Sequence, residues 1–481
     1  MKITQMPEPE LEFGTGRHID IRFGIMHHGP LDFQRSNAPK NIRVGVVGNT
    51  ESVEGLLGWF ERCRTGIDAK SSRQPNLFPR FPGFNPDVSF HSQITCDSSA
   101  QRTVSKREVD GLIALPTGPS TVAAAVELFA DEISNLVDDS TVDVCICALP
   151  DHLFEAMSRK TSSDEKSDAD FDEVVQRLDF HHMLKARALG LKRPLQLVLP
   201  PTYDESKKRR PASERSSARP LQDEATRAWN IHTALYYKAG GIPWRLVRDS
   251  SQLATCFVGI TFFKTVDEER LETSVAQVFN ERGEGIVVKG GPAVISKEDR
   301  QPHLEADGAQ MLLQNALDVY RREHKTLPAR IVLHKSSAFN QAELEGFQAA
   351  ADEHRVELLE CVSMSRRGTR LYRNGGYPPL RGTFLELDDR HHLLYTRGSV
   401  EFFMTYPGMY VPNPLLFRSD RVESTAGHHA REILELTKMN WNNTQFDGGK
   451  PITMRAASQV GSILKYAADG VEIPSRYSFY M

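Results

Sequence analysis

The sequence predicts an α/β protein made of two successive layers of strands and helices. Three observations carry that reading. From Asn41 to about residue 200, short apolar runs alternate with amphipathic helical segments at the spacing of a parallel α/β layer. A second alternating region begins near residue 221. Between them lies DESKKRRPASERSSARP (204–220), a basic, Ser/Pro-rich connector. With 481 residues there is room for two to four domains. The 40% hydrophobic and 25% charged content is that of a folded chain and excludes a disordered one.

The elements follow in order. Residues 1–40 show no long periodic segment and are read as an N-terminal linker segment. IRVGVV, from Ile42, is a strand that meets Gly48 and Asn49 and leads into the helix SVEGLLGWFERCR. A Pro/Phe-rich loop, NLFPRFPGFNP (76–86), comes next. GLIALP (111–116) reads as a short strand, TVAAAVELFADEISNLV (121–137) as a helix, and VDVCICALP (142–150) as a buried strand. This makes 41–200 Rossmann-like, although GVVGN alone reads as a turn. KTSSDEKSDAD (160–170) reads as a surface loop. The second region opens with the helix LQDEATRAWNIHTALYYKAGG and has strands CFVGITFFK (256–264), AQVFN, EGIVVKG and ARIVLHK (329–335). Helices are expected near 304–323, 340–353, 423–438 and 454–467.

Several classes are excluded or disfavoured. No apolar run approaches the ~18–20 residues of a membrane span, and MKITQMPEPELEF lacks the apolar core of a secretory signal. Cysteines 63, 96, 145, 147, 256 and 361 form no CxxC pair; Cys145 and Cys147 fall on one strand face as small hydrophobes. A reduced cytoplasmic setting is expected. The net charge of −4 gives no global basic signature, so any nucleic-acid contact needs local positive potential. The paired histidines 27/28, 181/182, 391/392 and 428/429 have no recognised zinc-ligand spacing, and Ser336 and Ser337 lack a GxSxG elbow.

Four blocks, in order, carry a resemblance: GIMHHGPLDF (24–33), YYKAGGIPWRL (236–246), the pair FVGITF (257–262) with IVLHKSSAFNQAE (331–343), and LTKMNWNNTQFDGGKPITMRAA (436–457). Together they resemble the short prokaryotic Argonautes. The resemblance implies a Rossmann-like MID domain at 41–220 and an RNase H-like PIWI domain at 221–481, without N and PAZ domains.

A MID domain grips the 5′-phosphate of a guide strand, which needs cationic and hydrogen-bonding groups converging on one anion. In FDEVVQRLDFHHMLKARALG, His181 and Lys185 are four apart and share a helix face, a spacing otherwise typical of an ordinary surface pair. By resemblance they match the family's phosphate-binding pair, with His182 a rival to His181, and Gln196 and Lys238 match the residues that complete the pocket. The family also implies Mg2+ at the phosphate, held by Gln196 and the carboxylate of Met481 at the end of SRYSFYM.

A slicing PIWI domain binds two metals through carboxylates. By resemblance, Thr261 and Lys335 stand where two of those carboxylates belong, and a cation inside a metal site repels the ion. The chain is therefore read as non-cleaving. It is expected to pair a guide RNA with single-stranded target DNA and to license a partner in which an APAZ domain is joined to a sirtuin-like, TIR or nuclease effector. Two rivals remain at this stage. One is an active RNase H-like nuclease using Glu432, Glu435 or Asp447, and the other a nucleotide-binding regulator built on the Rossmann-like half.

Overall fold

The strand Asn41–Gly48 is buried without interruption from Val44 onward, as suits a strand covered on both faces. In the computed structural model it lies inside a parallel sheet, between Val144–Ala148 on one side and Gln93–Thr95 and Gln101–Thr103 on the other. Leu195–Val198 adds to the outer side of Val144–Ala148. The structure describes residues 2–157 apart from 117, then 180–207, 221–247 and 253–481, the last span apart from 267–268, 280–284, 289, 367–368, 373, 375–377, 407–411, 445, 447 and 469. The loop expected at 160–170, the first half of the 171–190 segment and most of the 204–220 connector, with the boundary at 220, lie outside the described residues.

Alternation along these strands feeds two separate apolar layers. Val44, Val46, Val144 and Ile146 face the helix Thr50–Thr65, which buries Val53, Leu56, Trp59, Phe60 and Cys63. Asn49 starts that helix by accepting the Ser52 amide at 2.9 Å. Val47, Cys145 and Cys147 face the helix Gly118–Asp139. The two thiols share one face as expected, and burial pushes Cys145 up to about 12.

The run GLIALP departs from expectation. Its first half is the last turn of a helix, Lys106–Ile113, and not a strand. Ser105 and Glu108 cap each other's backbone amides, so a four-residue polar cue upstream of the apolar run decides the outcome.

The second unit is built on a nine-stranded mixed sheet. Its centre is three parallel strands, Thr255–Lys264, Arg330–Lys335 and Leu358–Arg366. Leu271–Phe279 and Gly285–Val288 extend it antiparallel on one side. Leu415–Arg421, His391–Leu394 and Thr383–Glu386 extend it on the other. Helices Ala306–His324 and Gln341–Glu353 cover one face over Cys256, Val258, Ile260, Ile331 and Leu333. Helices Ala426–Leu436 and Ile452–Leu464 cover the opposite face over Phe257, Val332 and Val362.

Residues 1–40, read as a linker segment, contain short elements with distant partners. Lys2–Gln5 is the edge strand beside Thr383–Glu386, and Leu11–Glu12 pairs with both Arg17–His18 and Arg245–Leu246. Asp20 caps the helix Ile21–His28. Strands of two to four residues carry too little local periodicity to announce themselves.

One apolar core runs through both units, joining Trp59, Phe81, Trp229 and Tyr236 to Trp244, Trp441 and Tyr480. The helix Glu224–Lys238 is the physical link, and it delivers Lys238 to the edge of the first unit. Among the described residues no helix is long and apolar enough to cross a membrane.

Candidate functional site

The residues at 180–188 are helical, with Phe180, Leu184, Ala186 and Ala188 in the core. That anchoring turns Lys185 inward, and it is only 1% exposed. Its Nζ donates to the main-chain oxygen of Met481, the last residue of the sequence. Tyr477, Tyr480 and Met481 are all buried, and the Tyr480 hydroxyl donates to Pro474 O at 2.8 Å, so the aromatic tail is docked.

Lys238 arrives from another direction as the last residue of its helix. It is buried, and its Nζ donates to Gln196 Oε1 at 2.5 Å. Gln196 in turn donates to Leu197 O at 2.9 Å. Gln196 thus caps a carbonyl on the open edge of its own strand, and its amide is oriented by two partners.

The electrostatics are one-sided. Burial pushes Lys185 well below the usual lysine range, and the nearby Lys238 charge pushes it further. Burial alone brings Lys238 down to about 7. His181, half-buried, is held well below its ordinary value by burial and by the charges of Lys185, His182 and Lys238. Among the described residues, no acidic side chain stands with the groups acting on these three. Cations crowded together with no acidic side chain beside them among the described residues are what a bound anion would relieve.

The structure thus brings His181, Lys185, Gln196, Lys238 and Met481 into one neighbourhood. It also separates the two histidines. His182 is buried, lowered to about 4 by burial and by Lys465 and Lys185, while His181 is the one acted on by Lys238. Lys465, just past the helix Ile452–Leu464, was missed in the sequence, where nothing local connects it to a position 280 residues upstream. One detail differs from expectation. The main-chain oxygen of Met481 meets Lys185, whereas Gln196 is engaged by Lys238. Both oxygens expected to hold Mg2+ already accept from ammonium groups, so a divalent cation fits here only together with a phosphate that draws those ammoniums away.

The second candidate site lies at the carboxyl ends of the central strands. Register pairs Ile260 with Lys335, and the amide of Ser336 donates to Ile260 O at 3.1 Å. Neighbouring strands in register show the same face, so Lys335 lies with Ile260 and Phe262, and Thr261 lies on the other face with Phe257 and Phe263. The expectation that Thr261 and Lys335 mark one metal site is corrected. Lys335 is fully buried, 2.6 Å from the Glu343 carboxylate, and also donates to Ala338 O at 2.8 Å. It is a core ion pair. The residue level with Thr261 is Ser336, which is exposed. Period-2 counting along FVGITF and IVLHKSS is the signal that identifies it.

The rival carboxylates sit elsewhere. Glu432 is bound by Arg330 and lies 3.2 Å from His428, and burial together with the Glu432 charge pushes Glu435 up to about 7. Arg330 opens the strand that ends at Lys335, so this cluster is roughly 20 Å along the strand from Ser336. Asp447 lies outside the described residues. Among the described residues, no three His, Cys, Asp or Glu side chains are grouped to hold a metal.

No family model matches the sequence, and no curated protein sequence matches it. Solved structures do share its fold. Clostridium butyricum Argonaute, solved with a guide DNA and a 19-mer target DNA, is 15% identical, with TM-score 0.66 over 100% of this chain and 55% of that one. Drosophila Piwi is 13% identical, with TM-score 0.60 over 99% of this chain and 56% of its own. A. aeolicus Argonaute is 14% identical, with TM-score 0.56 over 98% and 54%. The chain spans about half the length of these structures. It has the Argonaute-like fold, a Rossmann-like MID unit followed by an RNase H-like PIWI unit.

Proposed function

We propose that this chain is the guide-dependent nucleic-acid recognition subunit of a prokaryotic defence system. One observation carries the reading: Lys185 and Lys238 are buried in one neighbourhood with no acidic side chain among the described residues to neutralise them. A 5′-phosphate brings the missing charge, with Gln196 and His181 adding neutral contacts. Mg2+ is proposed to join only with that phosphate, using the oxygens of Gln196 and Met481, where it offsets part of the phosphate charge. The guide is proposed to be RNA and the target single-stranded DNA, with sequence read by base pairing and the protein holding backbone.

The chain is proposed not to cleave. Thr261 and Ser336 support this, because hydroxyls bring no formal charge to the level where a two-metal site needs carboxylates. Activity is assigned to an APAZ-domain partner carrying a sirtuin-like, TIR or nuclease effector in the cytoplasm.

The test is retention of short labelled strands bearing 5′-phosphate or 5′-hydroxyl, as RNA and as DNA. Wild type is expected to prefer the phosphate, and Lys185→Ala with Lys238→Ala to lose about 10–100-fold per charged contact. Equal retention of both ends would sink the proposal. Incubating the loaded protein with target and Mg2+ or Mn2+ tests cutting, and reproducible products would overturn the non-cleaving part.

A further inference from the structure

A second cavity, of about 520 Å3, lies between the segment 33–41 and the loop 86–93. Its size is within the ~300–1,000 Å3 range of small-molecule sites. It sits at the amino ends of Asn41–Gly48 and Gln93–Thr95. Leu195–Val198, the strand of the phosphate pocket, is three strands away, roughly 14 Å across the sheet. None of its residues belongs to the site described above.

Its walls are chemically specific. Phe33 and His91 stack with ring centroids 4.6 Å apart and planes 23° from parallel. The pair is held in place from several sides. A Cβ at Gly14 would come within 2.4 Å of the Phe33 ring, and one at Gly29 within 3.0 Å of Phe33 and 3.3 Å of His91, so glycines are needed for the rings to lie there. His91 adopts φ +50°, a left-handed conformation uncommon outside glycine, and its Nδ1 donates to Pro86 O at 3.1 Å. Lys40 donates to Phe33 O, and its ammonium lies 5.8 Å from the Phe33 ring centre. Gln34, Asn41 and Gln93 add amide groups.

We infer that this cavity binds one unpaired nucleotide, its base on the Phe33–His91 stack and its phosphate on Lys40. A π-face, a cation and amide edges together are the chemistry by which proteins hold a splayed-out base. Stacking tolerates any base, and the amides supply the means to prefer one. The inference rests on the chain being a nucleic-acid binder, but it concerns a place distinct from the phosphate pocket.

The probe is a short 5′-hydroxyl DNA strand carrying one 5-iodouracil, photo-crosslinked to the full chain and mapped by mass spectrometry. Crosslinks are expected in the peptides containing Phe33 or His91. Phe33→Leu keeps apolar bulk but removes the π-face, and Lys40→Glu reverses the exposed cation and gives up its hydrogen bond to Phe33 O. Each is expected to reduce crosslinking about tenfold while the chain stays folded, read as a retained cooperative melting transition. Crosslinks elsewhere, or crosslinks unaffected by both variants, overturn the inference. Phosphate-dependent retention by the same protein sample reports separately on the proposed function. If retention persists while these crosslinks are absent, only the cavity assignment fails; if crosslinks appear without phosphate preference, only the phosphate pocket fails.

Discussion

At the scale of single residues, Lys238 and Lys335 show two ways to keep an ammonium out of water. Among the described residues, Lys238 has an amide oxygen for its partner and falls to about 7. Bound phosphate raises it again, so binding takes up a proton. Affinity for a 5′-phosphorylated strand is therefore expected to be greatest below about pH 7 and to fall as pH rises, since the monoester is already dianionic above its pKa of about 6. In the anion-free protein the folded value lies below the unfolded one. The unfolded chain then binds more protons from about pH 7 up to the ordinary lysine range, and this residue's contribution to stability rises with pH across that window. Dissociation constants measured from pH 6.5 to 9 check this, and a level profile would contradict it. Lys335 is different, because Glu343 neutralises it inside the core. Lys335→Ala strands that carboxylate and is expected to cost about 3–5 kcal/mol in urea unfolding, while phosphate-dependent retention stays unchanged.

At the scale of elements, close approach decides the geometry around the central strand. A Cβ at Gly259 would lie 2.2 Å from the Thr453 carbonyl oxygen, so the helix Ile452–Leu464 can rest on this strand only because residue 259 is glycine. Gly259→Ala is expected to destabilise by about 1–3 kcal/mol through overpacking, read as a lower denaturation midpoint at unchanged slope. Much of the element pattern was legible in the sequence: VDVCICALP, CFVGITFFK and ARIVLHK are strands, and the helix after Asp223 has its acidic cap in plain view. The exceptions have local causes. GLIALP was decided by the Ser105–Glu108 cap, and the strands Leu358–Arg366, Thr383–Glu386, His391–Leu394 and Leu415–Arg421 went unread because their pattern is not a clean apolar run. Thr261 and Lys335 were matched to one metal site by resemblance, and strand parity puts them on opposite faces.

At the scale of the whole molecule, the tail and the pocket form one structure. Removing 477–481 takes away two buried tyrosines and the oxygen that meets Lys185. The truncated protein is expected to lose more than about 3 kcal/mol and to lose its preference for 5′-phosphate together. Retained stability and preference would show the tail to be dispensable. By itself, the sequence determined the α/β class, the order of the two units, the buried strand face of Cys145 and Cys147 and the helical spacing of His181 with Lys185, all of which depend on residues near one another in the chain. Only the tertiary structure decided the rest. It set Lys238 against Gln196, Met481 against Lys185, Ser336 level with Thr261, and Phe33 on His91. These are contacts across tens to hundreds of residues, fixed by sheet register and by how the shared core packs, and no local periodicity encodes either.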